Sequence, residues 1–305
     1  PADPAVDLLR RLCREHPQVE ARIVFAPPRG DQTGKMSNVA TAYAVARHPL
    51  IVISDSDMRV APDFLHRLVS PLRDPRVDLV GALPIYVQPA SRWAQALCVY
   101  AHLFALCFGA VIAPWQLPGK FAAGNQAMRR ELIEAIGGFE RLAGYLCEDV
   151  RLAILVQKRR RRIEYAALAT SPVGNLTAAA LIDVLARYQL GSWTLSLPLY
   201  IFTCLLVGGH WLWAAYGLLS VNRLGWPLYA LWASLPLLAR AHVAWSVHRR
   251  WAGPIGWWRI LAASLLLDAA FALAGLRIMS RRPIRWRGRS YRVLADGRVS
   301  AADGL

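Results

Sequence analysis

The chain is 305 residues long, 55% of them hydrophobic and 18% charged, and its formal net charge is +16. Its five cysteines form no C-x-x-C pair and have no histidines at zinc spacing, so the sequence predicts neither a disulfide framework nor a metal–thiolate site. The positive charge is concentrated at residues 158–162 and 281–292, on either side of an apolar region. This placement favours an anionic membrane surface over nucleic acid as the partner.

Helices and strands alternate in the first part of the chain. Apolar periodicity predicts helices over residues 7–15, 35–47 and 62–72, and strands over residues 21–26, 50–54 and 77–84. This alternation predicts an α/β domain with a mostly parallel central sheet. Because ligands bind beyond the carboxyl ends of the strands in such sheets, we expect a site just after Ser54.

The middle of the chain contains an apolar segment over residues 91–115, whose length is close to that of a helix that crosses a bilayer. We expect a membrane-facing amphipathic helix here, with a helix of the protein core as the alternative. The following residues predict a loop that enters a strand near residue 130, and then a helix that ends at Gly137 and Gly138. A further helix is predicted over residues 145–160 and a short strand over residues 162–166.

Apolar stretches follow at residues 193–219, 226–247 and 257–278, each about the length of one membrane crossing and rich in tryptophan at its ends. If all of them cross, the basic tail lies on the opposite side of the membrane from the first domain, against the positive-inside tendency. The last stretch carries Arg259, Asp268 and Arg277, with Asp268 on the opposite face from the arginines. We therefore expect this stretch to cross incompletely or to lie in the interface.

The resulting division of the chain has three parts. Residues 1–186 are predicted to form a catalytic domain, residues 187–280 a membrane region with two or three apolar helices, and residues 281–305 a basic cytoplasmic tail.

Two carboxylates, Asp55 and Asp57, follow the predicted strand at residues 50–54. A hard divalent ion such as Mg²⁺ or Mn²⁺, held by one or two carboxylates, also binds phosphate oxygens and neutralises a diphosphate leaving group. Taken alone, an Asp-x-Asp pair is more often a turn at the end of a strand.

A second acidic pair, Glu148 and Asp149, lies on the predicted helix over residues 145–160. A carboxylate here can act as a general base that accepts the proton of an attacking hydroxyl. Taken alone, acidic residues in the first turn of a helix are more often stabilising partners of the helix dipole.

Together, these motifs resemble those of the ceramide glucosyltransferase group within glycosyltransferase family 2, over nearly the whole chain. The loop at residues 30–38 (GDQTGKMSN) resembles the family's lysine-bearing loop, and Asp55 and Asp57 resemble its metal-binding motif. Further matches are Gly124 with the Arg129-Arg130 pair, Gly137-Gly138-Phe139, Asp149 at the catalytic aspartate, and residues 286–292 (WRGRSYR) at the family's basic ending.

The resemblance implies a nucleotide-sugar-binding domain of the glycosyltransferase A type, followed by membrane helices. The implied reaction is inverting transfer of a sugar from a UDP-sugar to the hydroxyl of a membrane lipid, with a hopanoid or ceramide-like acceptor. The implied location is the cytoplasmic side of a bacterial inner membrane. The implied roles are metal binding by Asp55 and Asp57, donor binding by Lys35, Gly30 and Gly124, base catalysis by Asp149, and acceptor or phosphate positioning by Glu148, Gln189 and Trp193.

The chain departs from the family pattern in two places. The family's Q-x-x-R-W motif matches residues 189–193, but Ser192 stands at the position of the arginine, so a guanidinium that binds phosphate or positions the acceptor is lost there. Arg187 lies nearby, but the helical spacing does not place it at the same point. The family's first membrane helix and first strand also have no counterpart, and their nucleotide-binding aspartate is assigned to neither Asp3 nor Asp7.

Two other functions remain as alternatives. A processive polysaccharide synthase shares the acidic motifs but requires an intact Q-x-x-R-W motif and a larger membrane region. A catalytically impaired membrane scaffold would account for Ser192. Nucleic-acid binding is disfavoured, because the basic residues flank apolar segments and are not interleaved with exposed aromatic residues.

Overall fold

A computed structural model describes residues 4–25, 34–107, 109, 124–195, 197–219, 221–280, 283–286, 289–294 and 297–301. The helices in this part of the chain are α1 (Pro4–Glu15), α2 (Gly34–Val45), α3 (Phe64–Val69), α4 (Arg92–Cys107), α5 (Arg130–Ile136), α6 (Glu148–Lys158), α7 (Ala178–Leu195), α8 (Leu197–Leu218), α9 (Val221–Trp251) and α10 (Trp257–Met279). The strands are β1 (Leu50–Ile53), β2 (Val77–Pro89), β3 (Asn125–Arg129), β4 (Arg162–Gly174), β5 (Ile284–Trp286), β6 (Arg289–Val293) and β7 (Val299–Ala301).

The central sheet has the strand order β1-β3-β2-β4 within the described residues. Strand β3 runs antiparallel to both β1 and β2, whereas β2 and β4 pair in parallel. The sheet is therefore mixed, and the expectation of mostly parallel pairing was wrong, although β1, β2 and β4 point the same way. The apolar pattern of a strand fixes which faces are buried but not the direction in which the strand runs, so the reversal of β3 left no signal in the sequence.

Helices cover both faces of this sheet, as the α/β pattern predicted. On one face, helices α2, α5 and α6 pack buried side chains such as Met36, Ile133 and Leu152 against β1 and β3. On the other face, Phe64 and Leu68 of α3 pack against β2, β3 and β4. The sheet is thus covered on both faces, and this packing holds the loops at one of its edges in fixed positions.

Several boundaries differ from the predicted ones. Residues Ala21 to Phe25, predicted as a strand, form no regular structure, and Val24 and Phe25 are exposed. An apolar, β-branched run becomes a strand only when a neighbouring strand supplies hydrogen bonds, and none does so among the described residues. Strands β2 and β4 continue further than predicted, because they pair with each other as far as Pro89 and Gly174.

Helix α4 belongs to the core in its described part. Most of its side chains are buried, and it packs against β2, α9 and α10. His102 is fully buried, with its Nε2 atom 2.9 Å from the carbonyl oxygen of Tyr86. The preferred interpretation of this segment as a membrane-facing helix was therefore wrong for residues 92–107, and the core helix given as its alternative is found. Residues 108 and 110–115 lie outside the described residues.

Helices α7 to α10 form a bundle against α4. Among the described helices, α8 and α10 are long and apolar enough to cross a membrane, as judged by length and composition. Helix α9 is kinked at Gly225, where φ is 75°, and contains Pro227 and Pro236.

The charges of α10 find partners on neighbouring helices. Asp268 pairs with Arg240 of α9 and Arg277 with Asp183 of α7. These charges are neutralised across helix interfaces, which a pattern along one helix does not show. One reason for expecting α10 to cross incompletely is thereby weakened, because Asp268 and Arg277 need no shared polar face.

The predicted basic tail is folded where the structure describes it. Strands β5, β6 and β7 form an antiparallel sheet, which packs Ile284, Tyr291 and Val299 against Leu146. The backbone of this sheet also bonds to the segment before α6: the amide of Leu146 donates to the carbonyl of Gly297 at 3.0 Å. The amide of Val299 donates to the carbonyl of Gly144 at 2.8 Å. Helix α6 accordingly begins at Glu148, three residues later than predicted.

Candidate active site

A cavity of about 360 Å³ lies where β1 ends and β3 begins, between the sheet and helices α4, α6 and α7. The predicted site residues that line it are Lys35, Asp55, Asp57, Gly124, Glu148 and Asp149. Because β3 is antiparallel to β1, its entry and the exit of β1 meet at the same edge of the sheet. The two acidic motifs, nearly a hundred residues apart in the sequence, thus face one space.

Lys35 connects the two motifs. It lies in the first turn of α2, and its Nζ atom is 2.9 Å from Oδ1 of Asp55 and 2.8 Å from Oε1 of Glu148. Burial disfavours its charge, but the attraction of Glu148 and Asp55 outweighs this effect, so the pKa of Lys35 is raised above its usual value. The lysine is therefore a fixed positive charge between Asp55 and Glu148.

Asp149 is in a different electrostatic position. Burial raises its pKa to about 7, and the negative charge of Glu148 acts in the same direction, whereas Lys35 opposes the shift. Its Oδ1 atom accepts a hydrogen bond of 2.8 Å from the backbone amide of Val150. A carboxylate with a pKa near neutrality and access to a cavity suits the role of a general base.

Two glycines mark close approaches around the cavity. A Cβ atom on Gly124 would lie only 1.8 Å from Oδ2 of Asp55, so a side chain at this position would displace that carboxylate. A Cβ atom on Gly191 would lie 2.5 Å from Sγ of Cys147, where α7 passes the start of α6. Gly124, predicted to bind the donor, thus makes room for the carboxylate of Asp55.

The residues present fit a divalent cation that is shared with a substrate. Among the described lining residues are four carboxyl groups and two cationic side chains, those of Lys35 and Arg187, so acidic groups outnumber basic ones. No described group of three or more His, Cys, Asp or Glu residues forms an all-protein site. Magnesium is commonly held by one or two carboxylates together with substrate phosphates, which matches the oxygen donors of Asp55 and Asp57.

Two predicted site residues are placed elsewhere. Gln189 is buried and donates a hydrogen bond of 2.8 Å from Nε2 to the carbonyl of Phe271, between α7 and α10. Trp193 is 52% exposed and stacks edge-on against Tyr200, with 5.2 Å between ring centroids. Neither is among the described residues that line the cavity. Gly30 lies outside the described residues.

The lining residues that were not predicted as site residues include Arg187, Tyr86, Tyr100 and Tyr188. The hydroxyl groups of Tyr86 and Tyr188 are 2.7 Å apart, and the rings of Tyr100 and Tyr188 are stacked, with centroids 5.6 Å apart. Only Arg187 had a signal in the sequence, its nearness to the altered motif. The tyrosines come from three different elements, and their meeting depends on packing that no spacing reveals.

Known proteins resemble the chain as follows. The family model of glycosyl transferase family 21 matches residues 1–299. Ceramide glucosyltransferase 1 of Caenorhabditis elegans is 28% identical over 203 residues, which cover 63% of this chain and 40% of the relative. Ceramide glucosyltransferase 3 of the same organism is 25% identical over 158 residues, which cover 48% of this chain and 32% of the relative. The chain thus spans less than half the length of these relatives, and its resemblance to the ceramide glucosyltransferase group is confirmed.

Proposed function

Because the chain belongs to glycosyl transferase family 21, we propose that it transfers a sugar from a UDP-sugar to a hydroxyl group of a membrane lipid. The observation that carries this proposal is the single cavity shared by Asp149 and the Asp55/Asp57 pair. Displacement at a sugar carbon needs a proton acceptor on the side of the attacking hydroxyl and compensation of negative charge on the side of the leaving group. Asp149 supplies a proton acceptor, and Asp55 and Asp57 would hold a cation that compensates the charge of the leaving group.

In the proposed reaction, Asp149 takes the proton of the lipid hydroxyl while the oxygen of that hydroxyl bonds to the sugar carbon. The bond from that carbon to the diphosphate breaks, UDP leaves, and one displacement of this kind inverts the configuration. Asp55 and Asp57 would hold Mg²⁺ or Mn²⁺, which when bound neutralises charge on the diphosphate. Lys35 adds a fixed positive charge beside Asp55.

An apolar side of the cavity supports a lipid as the acceptor. Phe104 and Ala105 of α4 and Leu199 of α8 line it. Helix α8 is one of the described helices suited to cross a membrane. A lipid that enters beside α8 can keep its chain in apolar surroundings while its hydroxyl reaches Asp149, so that little apolar surface is exposed to water.

The wider setting of this reaction is also a proposal. Large apolar side chains cover the surface of α8 and α10, such as Leu212 and Leu276, which are 64% and 61% exposed. Exposed apolar surface of this extent suits contact with lipid. We place the protein in the bacterial inner membrane as a multi-pass protein, with its catalytic domain in the cytoplasm and a hopanoid or ceramide-like lipid as acceptor.

Asp149→Asn tests the proposal in the full-length protein that contains this chain, reconstituted in lipid nanodiscs. With a panel of UDP-sugars, Mg²⁺ or Mn²⁺ and a bacterial lipid extract, the wild type is expected to form a glycolipid detectable by mass spectrometry. Asp149→Asn should lower this rate by about 100-fold or more, because the loss of a general base costs about that much, while UDP affinity stays close to that of the wild type.

Asp63→Asn is the matched control, because Asp63 is an exposed carboxylate that pairs with Arg67 outside the cavity. Its transfer rate should equal that of the wild type. Turnover retained in Asp149→Asn would remove this residue from the role of base. A wild type that binds UDP but forms no product would favour the impaired scaffold, and a polymeric product would favour the polysaccharide synthase.

A further inference from the structure

The altered Q-x-x-R-W motif has a serine where the family has an arginine, and the structure shows what that serine does. Ser192 lines the cavity, and its Oγ atom donates a hydrogen bond of 3.1 Å to the carbonyl of Tyr188, within the same helix. A neutral hydroxyl that is bonded to its own helix supplies no positive charge to a substrate. The charge expected at this position must therefore come from elsewhere if the cavity is to have it.

Arg187 brings a guanidinium to the same cavity. It is partly buried on α7 and lines the wall together with Ser192. The two residues lie on different faces of the helix by spacing, but the arginine side chain is long, and both residues line the cavity. The expectation that helical spacing separates their positions holds for the backbone but does not keep Arg187 out of the cavity.

The guanidinium of Arg187 rests on an ordered aromatic support. Its Cζ atom lies 5.3 Å from the centroid of the Tyr188 ring. That ring is nearly parallel to Tyr100, with an interplanar angle of 9°, and its hydroxyl is 2.7 Å from the hydroxyl of Tyr86. Stacking on a fixed ring limits the conformations of an arginine, so less freedom is lost when it binds a ligand.

We propose that Arg187 binds a phosphate of the nucleoside diphosphate and so replaces the guanidinium lost at position 192. The ammonium of Lys35 already lies within 3 Å of carboxylate oxygens of both Asp55 and Glu148, so much of its charge is compensated within the protein. A guanidinium presents a planar set of donors that matches phosphate oxygens. This inference rests on the proposed function, because it needs a nucleotide-sugar donor.

The test compares the binding of UDP and of uridine, which lacks phosphate, by isothermal titration calorimetry. The protein is full-length and in detergent, with Mg²⁺ or Mn²⁺ present. Arg187→Met should weaken UDP binding by about 10-fold to 100-fold, the value of a charge-assisted hydrogen bond or a pair of them. Uridine should bind Arg187→Met and the wild type equally well. Arg187→Lys keeps the charge but loses the planar set of donors, so its UDP affinity should lie between those of Arg187→Met and the wild type.

Arg92→Met is the matched control. Arg92 also stacks on an adjacent aromatic residue, with its Cζ atom 4.9 Å from the centroid of Trp93, but it is exposed and does not line the cavity. Its loss should leave UDP affinity unchanged. Thermal unfolding of each variant shows whether the protein is folded. If Arg187→Met does not fold, the UDP affinity of Arg187→Lys tests the proposal instead.

Three outcomes would contradict the role of Arg187. They are equal UDP affinity in folded Arg187 variants and wild type, an equal loss for UDP and uridine, and a raised acceptor KM with unchanged UDP affinity. The last outcome would assign the guanidinium to binding of the lipid acceptor. Failure of the proposed function itself is recognisable separately, because the wild type would then form no glycolipid from any UDP-sugar, whether or not it binds UDP.

Discussion

Burial and the neighbouring Glu148 raise the pKa of Asp149 to about 7, against a usual value of 3.8. The folded protein therefore binds a proton here more tightly than the unfolded chain does. Folding stability is lowered where the carboxylate is ionised in both states, above about pH 7. This loss is relieved as the pH falls from 7 towards 4. A residue that must be ionised to accept a proton is thus held where ionisation disfavours the fold.

Asp149→Asn should consequently stabilise the protein in a pH-dependent way. Without divalent cations, in EDTA, we expect the melting temperature of the variant to exceed that of the wild type at pH 8 by about 2 °C or more. The difference should shrink at pH 5, where the wild-type carboxyl is protonated in the folded state. Differential scanning fluorimetry at both pH values measures it, with Asp63→Asn as an exposed control. A variant less stable than the wild type at pH 8, or a difference that is independent of pH, would contradict the electrostatic explanation.

The residues that sequence patterns predicted at the site are those tied to the ends of strands and helices. Asp55 follows β1, and Asp149 lies in the first turn of α6. For such residues, the boundary of the element also determines the position in space. Gln189 and Arg187 lie on one helix, where position depends on how the helix is rotated against its neighbours. That rotation is set by packing against α4 and α10, so the sequence pointed to Gln189, whereas the cavity contains Arg187.

The elements around the cavity were predicted in order but not in every pairing. The apolar patterns of β1, β2, α2 and α6 indicate which of their side chains are buried, because this property is encoded locally in each element. The reversed direction of β3 and the sheet formed by β5, β6 and β7 depend on partners far along the chain. The C-terminal residues were predicted as a tail because their many positive charges obscure the alternation of buried and exposed side chains, in which Tyr291 is a buried position.

The sheet of β5, β6 and β7 fixes the segment that leads to Glu148 and Asp149. Val299 is buried against Leu146, and its amide bonds to the carbonyl of Gly144. Val299→Asp would bury a charge in this cluster and loosen the segment. We expect glycolipid formation to fall by about 10-fold to 100-fold, since small displacements of a catalytic group have effects of this size.

Leu294→Asp is the control for that substitution. Leu294 follows β6 in the same region but is 48% exposed, so a charge there remains in water. Its transfer rate should match that of the wild type, and hydrogen exchange at residues 144–147 should increase in Val299→Asp alone. Full activity of Val299→Asp with unchanged exchange would mean that the sheet does not position the catalytic segment.

The whole molecule combines a sheet-based site with an apolar helical region, and the cavity lies between them. Asp55 and Asp57 follow a strand of the sheet, Glu148 and Asp149 come from α6, and residues of α4, α7 and α8 also line the cavity. The proposed reaction requires such an arrangement, because a nucleotide-sugar donor is soluble whereas a lipid acceptor remains in the membrane. The orientation of the helices around α7 and α8 therefore bears directly on the shape of the site.

A buried ion pair connects these helices. Asp268 of α10 accepts hydrogen bonds of 2.7 and 3.0 Å from Arg240 of α9, and its Oδ2 atom lies 3.0 Å from Nε2 of His210 on α8. Arg240 also donates to the carbonyl of Ser264 at 3.0 Å. All three charged or polar side chains are less than a tenth exposed. One carboxylate thus pairs α10 with α9 and lies close to His210 of α8 in an apolar region.

Removing one partner should destabilise the protein far more than removing both. Asp268→Leu leaves the buried guanidinium of Arg240 without its carboxylate, which costs about 3–5 kcal/mol, and should lower the melting temperature in detergent sharply. The double variant Arg240→Leu/Asp268→Leu should recover much of this loss, because no charge then remains buried. Arg259→Leu, which removes an exposed arginine from the same α10 helix, should melt like the wild type. If the double variant were no more stable than Asp268→Leu alone, the two residues would not act as a pair, and the helices would be held by apolar packing instead.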